Sequence, residues 1–109
     1  MLFIPLQQVP NQSVSVNLSG QYCQVNVYQK FFGLFLDLYV ADSLIIGGVL
    51  CENLNRIVRS AYLGFSGDLG FWDMQGNTDP NYTGVGSRYQ LVYLTAAELA
   101  AIGVPALGD

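Results

Sequence analysis

The sequence predicts an all-β fold, a small antiparallel β-barrel or sandwich with a short C-terminal helix, in a single domain over residues 1–109. Three observations predict it. Apolar and polar residues alternate with a period of two over several segments. Clusters of Gly, Asn, Asp and Ser separate those segments. No helical pattern lies between them to carry a crossover from one parallel strand to the next.

The first clear element is Ser13–Leu18, which alternates strictly: Val14, Val16 and Leu18 share one face, and Ser13, Ser15 and Asn17 the other. Ser19-Gly20 supplies a turn. Gln21–Gln29 alternates again, with Cys23, Val25 and Val27 opposite Tyr22, Gln24, Asn26 and Tyr28, so the two segments predict a hairpin. After a break at residues 30–33, Leu34, Leu36, Leu38 and Val40 point to the core while Phe35, Asp37 and Tyr39 point away. Ala41-Asp42-Ser43 is a turn, and Leu44–Leu50 is a strand whose Gly47-Gly48 marks a bulge or the close approach of another backbone.

Asn53–Ser60 is ambiguous, because Leu54, Ile57, Val58 and Ala61 also fit one amphipathic helical turn; loop and strand are preferred. Tyr62–Phe65 and Leu69–Met74, separated by Ser66-Gly67-Asp68, predict a second hairpin. Gln75–Ser87 is the longest irregular stretch, and Arg88–Leu94 returns to strand. Thr95-Ala-Ala-Glu98 has the form of a capping box, with Thr95 as N-cap and Glu98 at the third helical position. A helix should then run to about Ile102, where Gly103 and Pro105 stop it.

Composition bears on function. Charged residues make up 11% of the chain and hydrophobic ones 51%, against about 25% charged in an ordinary soluble domain. A folded chain of this mass exposes about 6000 Å², so its 4 basic and 8 acidic side chains leave about one charge per 500 Å². A small domain cannot bury all its apolar residues internally, and some of the excess is expected to meet other protein. The net charge of −4 argues against binding phosphate backbones, which need clustered cations; only Arg56 and Arg59 lie close together. Phe31–Leu50 is broken by Asp37, Asp42, Ser43, Gly47 and Gly48 and does not read as a membrane span. Met-Leu-Phe-Ile-Pro at the start lacks a charged region followed by an apolar core, so synthesis in the cytosol is expected.

The chain has no histidine, which excludes imidazole bases, Ser/His/Asp and Cys/His nucleophiles, and His-ligated metals. Cys23 and Cys51 are too few for a disulfide framework and lack CxxC spacing, so they are expected to be buried free thiols. Asp73, Asn77, Asp79 and Asn81 offer oxygen ligands, but their order does not fit a calcium loop and predicts turn chemistry instead. Asp37 and Asp42 are the nearest pair of carboxylates for a hydrolase; they read as solvated acids near a turn. Gly84-Val-Gly86 lacks the remaining glycine and the Lys-Ser/Thr of a phosphate loop and is a turn. No catalytic, metal or cofactor site is expected.

The 7 tyrosines, 6 phenylalanines and one tryptophan, with so few charges, match the centre of a permanent protein interface. Candidate contact residues are those opposite the predicted core: Tyr22, Tyr28, Phe35 and Tyr39. The alternative is a small-molecule-binding β-barrel whose aromatics line an internal cavity.

Tyr28-Gln-Lys-Phe-Phe-Gly-Leu-Phe-Leu-Asp-Leu-Tyr-Val40 and Leu44-Ile-Ile-Gly-Gly-Val-Leu50 resemble the baseplate plug proteins of contractile-tailed bacteriophages. Gly64-Phe-Ser-Gly-Asp-Leu69, Gly76-Asn-Thr-Asp-Pro80, Gly84-Val-Gly86 and Arg88-Tyr-Gln-Leu-Val-Tyr93 extend the resemblance over residues 20–95, about strand, turn and loop motifs with no active site among them. The resemblance implies a structural protein of the virion, made in the host cytoplasm and placed where tail tube meets hub. There it would help close the axial channel until DNA release. Its implied partners are further copies of itself around a three-fold or six-fold axis and hub or tail-tube proteins, with no sequence-specific nucleic acid and no membrane.

Overall fold

The computed structural model describes residues 1–58 and 65–101. Along them run strands β1 (Leu2–Ile4), β2 (Asn11–Leu18), β3 (Gln21–Lys30), β4 (Gly33–Val40), β5 (Ser43–Leu50), β6 (Asp68–Asp73) and β7 (Tyr89–Leu94), then helix α1 (Ala96–Ala101). They form two antiparallel sheets, one in the order β2-β3-β4-β5 and the other β1-β7-β6.

The four-stranded sheet is a meander built by two-residue turns. Ser19 and Gly20, at φ 52° and 79°, join β2 to β3, and Ala41 and Asp42, at φ 49° and 67°, join β4 to β5. Two successive left-handed residues match the twist of the flanking strands, which is why such turns close hairpins. The expected bulge is present. Leu36 faces Val49 while Leu38 faces Ile46, so β5 carries an extra residue at Gly47-Gly48, where Gly48 takes φ 66°.

The three-stranded sheet pairs the beginning of the chain with its end. Leu2, Phe3 and Ile4 lie opposite Tyr93, Val92 and Leu91. This strand was not expected, because three residues are too few for an alternation to register. β6 pairs with β7 from Asp68↔Leu94 to Asp73↔Tyr89. Its other edge is taken by the preceding segment, where Leu54 N donates to Phe71 O at 2.8 Å and Ile57 N to Leu69 O at 2.9 Å. Asn53–Val58 therefore lies along β6 without a helical turn, and residues 59–61 of that stretch lie outside the described residues. The expected first arm of the second hairpin, Tyr62–Phe65, lies outside the described residues except for Phe65, which is buried.

The two sheets share one apolar core. Leu18, Cys23, Val25, Val27, Leu34, Leu36 and Leu38 come from one, and Ile4, Leu69, Phe71, Leu91 and Tyr93 from the other. Every β3 and β4 position assigned inward by alternation is buried, except Val40, which packs half-buried against the core. The sheets do not close into a barrel, which corrects that alternative: the short turns hold β2–β5 together as one sheet, while β1 pairs with β7 instead of joining its edge. At the end of β7 the capping box forms as expected, with Glu98 N donating to Thr95 Oγ1 at 3.1 Å and Thr95 N to Glu98 Oε1 at 2.9 Å. The Met1 amine pairs with the other Glu98 oxygen, tying the first residue to the helix. Among the described residues no helix is long and apolar enough to cross a membrane.

Candidate functional site

The outer face of the four-stranded sheet gathers all four predicted contact residues. Register sets them in rows: Asn11, Tyr28, Phe35 and Leu50 run across the four strands, and Ser15, Gln24, Tyr39 and Leu44 form a second row. Tyr22 stands at the far end, opposite Asn17 and 54% exposed. The Tyr28 and Phe35 rings stack with centroids 6.0 Å apart and planes inclined by 17°. Cross-strand aromatic pairs of this kind stiffen a sheet face.

Between the two rows lies Asp37, which is not the solvated turn acid that its sequence position suggested. It sits in mid-strand, half-buried, and its Oδ1 accepts from the Tyr28 hydroxyl at 2.8 Å and from Gly48 N at 2.7 Å. One carboxylate oxygen thus holds an aromatic of β3 and the bulge of β5 on a common strand. Burial, then the hydrogen bond to Asp37, raises the Tyr28 phenol above its ordinary pKa. Lys30 closes the row of charges, its Nζ 5.6 Å above the Tyr28 ring. A face of Tyr, Phe, Leu, Asn, Gln and Ser with one bonded carboxylate and one cation near its end is poor in charge for a sheet surface turned to water.

Alternation in β5 alone would put Leu44, Ile46 and Leu50 on one face. The two register shifts leave Leu44 and Leu50 on the outer face, opposite Tyr39 and Phe35, while Ile46 and Val49 stand opposite inward leucines. Sequence reasoning also passed over Phe31 and Phe32, which form the tip of the β3–β4 hairpin between the paired Lys30 and Gly33. They are 96% and 82% exposed, with rings edge to face at 5.4 Å. The available signal was two bulky apolar residues in a position where turns ordinarily carry Gly, Asn or Asp.

A second apolar feature lies on the outer side of the three-stranded sheet, a groove of about 440 Å³ with Gly70 and Val92 along its floor and Leu54, Trp72, Leu94 and Leu99 among its walls. A side chain at Gly70 would bring its Cβ to 3.1 Å from the Asn55 carbonyl oxygen, so glycine lets the 53–58 segment lie close along β6. Buried apolar side chains of both sheets pack against one another, and this groove is on the outside of the three-stranded sheet.

The remaining candidates are bound within the fold. Asp73 is buried and takes the Arg88 guanidinium in a two-pronged pair, Nε to Oδ1 and Nη2 to Oδ2, both at 2.8 Å. It also accepts from the backbone of Gln75 and from the backbone and hydroxyl of Thr78, so it organises the long loop after β6. The Arg88 partner, with help from the loop amides, holds the Asp73 carboxyl well below the usual carboxylate range. Asp79 accepts from Asn53 N at 3.0 Å, and Asn81 caps a turn of 3-10 helix at Tyr82–Gly84. These oxygens diverge, and among the described residues no three Asp, Glu or Cys side chains gather as for a metal ion. Gly84-Val-Gly86 is a turn, with Gly86 at φ 86°. Asp68, also buried, accepts from Arg56 Nε at 3.0 Å and from the amides of Ile57 and Val58, fixing that segment against β6. Cys23 and Cys51 are free and buried, and burial pushes the Cys51 thiol up to about 12.

No curated protein matches the chain. A family model does: the family described as cyanophage baseplate Pam3 plug gp18 matches residues 1–96, which takes in all seven strands and the Thr95 cap. With a match over most of its length, the chain belongs to this family of phage baseplate plugs.

Proposed function

We propose that the chain is a non-enzymatic assembly subunit of a contractile phage tail, which joins or closes hub and tail tube by contacts made with the outer face of its four-stranded sheet. Its family is a baseplate plug, so a structural role in the baseplate and a place in the virion follow from membership. The observation that carries the finer reading is the outer face itself, where Tyr22, Tyr28, Phe35, Tyr39, Leu44 and Leu50 are turned away from the core with Asp37 and Lys30 as its charged groups. Such a face gains free energy when covered by protein and loses little ionic hydration in doing so. Copies of the chain and neighbouring hub or tube proteins are its partners, and the acidic balance keeps passing DNA phosphates from adhering.

The test is Phe35→Asp. It places a second carboxylate beside Asp37 at the centre of the face, where covering protein would strand it. Incorporation into the baseplate should fail while the isolated subunit stays folded by circular dichroism. Normal incorporation of the folded variant would remove this face from the contact.

A further inference from the structure

The hairpin tip and the outer groove are separate parts of the surface, and among the described residues no side chain covers the tip or fills the groove. Phe31 and Phe32 project from a hairpin of 10-residue and 8-residue strands, almost fully exposed. Water exposure of two adjacent phenyl rings on a rigid arm is costly unless something receives them. The groove is apolar, with Trp72 on one wall at 41% exposed and Leu54 on another at 65%. Its 440 Å³ suits two phenyl rings with their methylenes, given that a cavity of about 150 Å³ accepts one benzene.

We propose that the Phe31-Phe32 tip of one copy seats in the Leu54–Trp72 groove of the next copy, a head-to-tail contact that repeats from subunit to subunit. This rests on the assembly reading above and adds to it a second contact, distinct from the outer sheet face. The tip and the groove share no residue, so each copy offers both halves at once, and contacts of this heterologous kind close into rings or run on as chains. Area sets the strength. Two aromatic side chains bury roughly 350 Å², so tip and groove together cover roughly 700 Å², below the roughly 1,200 Å² of a stable pairwise interface. A single contact is therefore transient, and persistence comes from ring closure or from the surrounding baseplate.

The single tryptophan of the chain, Trp72, stands in the groove and reports on it directly. The native chain should self-associate with a dissociation constant of roughly 10 µM to 1 mM by sedimentation, with a blue shift of Trp72 emission over the same concentrations. Phe31→Ser/Phe32→Ser, and separately Leu54→Glu, should weaken association by more than about tenfold and abolish the shift, with circular dichroism unchanged. Mixing the two variants is the decisive arm: one keeps the groove and the other the tip, so together they should form a 1:1 dimer that grows no further. Native chain that is monomeric at 1 mM, or variants that associate as the native chain does, overturns the contact. Association that leaves Trp72 unmoved and is dispersed by Phe35→Asp also overturns it, while leaving assembly through the outer sheet face standing. Filling of the groove by another baseplate protein would show as a Trp72 shift absent from pure chain and is equally an overturning result.

Discussion

Asp37 is the point at which the proposed contact face is made stiff, and removing it tests the geometry quantitatively. Its Oδ1 accepts two hydrogen bonds, from the Tyr28 hydroxyl and from Gly48 N. Bonds to an ionised acceptor contribute about 1.5–3 kcal/mol when buried, and the half-exposed setting places these near about 1 kcal/mol each. Asp37→Ala should then cost about 2 kcal/mol, or roughly 8 °C in Tm for a domain of this size. Tyr28→Phe should cost about 1 kcal/mol. The two losses should not add, because the double variant loses the Tyr28 bond only once, leaving a coupling of about 1 kcal/mol. Asp37→Asn keeps an oxygen acceptor without its charge and should fall between native and Asp37→Ala. Urea unfolding followed by Trp72 emission measures all four. Costs that add to within about 0.3 kcal/mol would show that Tyr28 and Asp37 are not bonded and would undo the account of the face.

Other features give sharp expectations. Asp73 is held below its unfolded value of about 3.9 by Arg88, so the unfolded chain binds more protons across the interval between the two values. Its contribution is complete above about pH 5 and is lost as pH falls through 4 and below; the urea midpoint should decline over that range, and less steeply in Asp73→Asn. Asp42 occupies φ 67° in the β4–β5 turn, a conformation costing an L-residue about 1 kcal/mol, so Asp42→Gly should raise stability by about 0.5–1 kcal/mol in the same assay. Cys23 and Cys51 are buried, with both thiols shifted upward by burial. A disulfide reagent at pH 8 should modify them only as fast as the chain opens, and rapid labelling of the folded protein would contradict that burial.

How the fold was legible depends on the range of the forces concerned. Side-chain direction along a strand is local, so the alternation of Ser13–Leu18, Gln21–Gln29 and Leu34–Val40 identified the inward residues, and with them Tyr22, Tyr28, Phe35 and Tyr39 on the opposite side. Turn and cap chemistry is local too, which is why Ser19-Gly20, Ala41-Asp42, the Gly47-Gly48 bulge and the Thr95–Glu98 cap lie where residue type placed them. Family resemblance was carried by those same strand and turn segments.

Other features required the chain to meet itself. Leu2–Ile4 becomes a strand only because the edge of β7 is open to it, and β6 acquires the 54–57 segment through backbone bonds that the missing side chain of Gly70 and the buried Asp68 carboxylate make room for and hold. Two register shifts turn Ile46 inward between the outward Leu44 and Leu50, a displacement that period-two reasoning cannot carry across a bulge. Asp37, Asp73 and Asp68 looked alike as isolated carboxylates; which one would bridge strands, order a loop or anchor a segment was settled by the partners that packing delivered to each. The amino-acid order by itself determined the strands, their faces and the tight turns, because those follow from neighbours a few bonds apart. Tertiary structure alone decided the pairing of β1 with β7, the choice of an open sandwich over a barrel and the outer groove, because hydrogen bonding between distant strands and the filling of space between them depend on the whole chain at once.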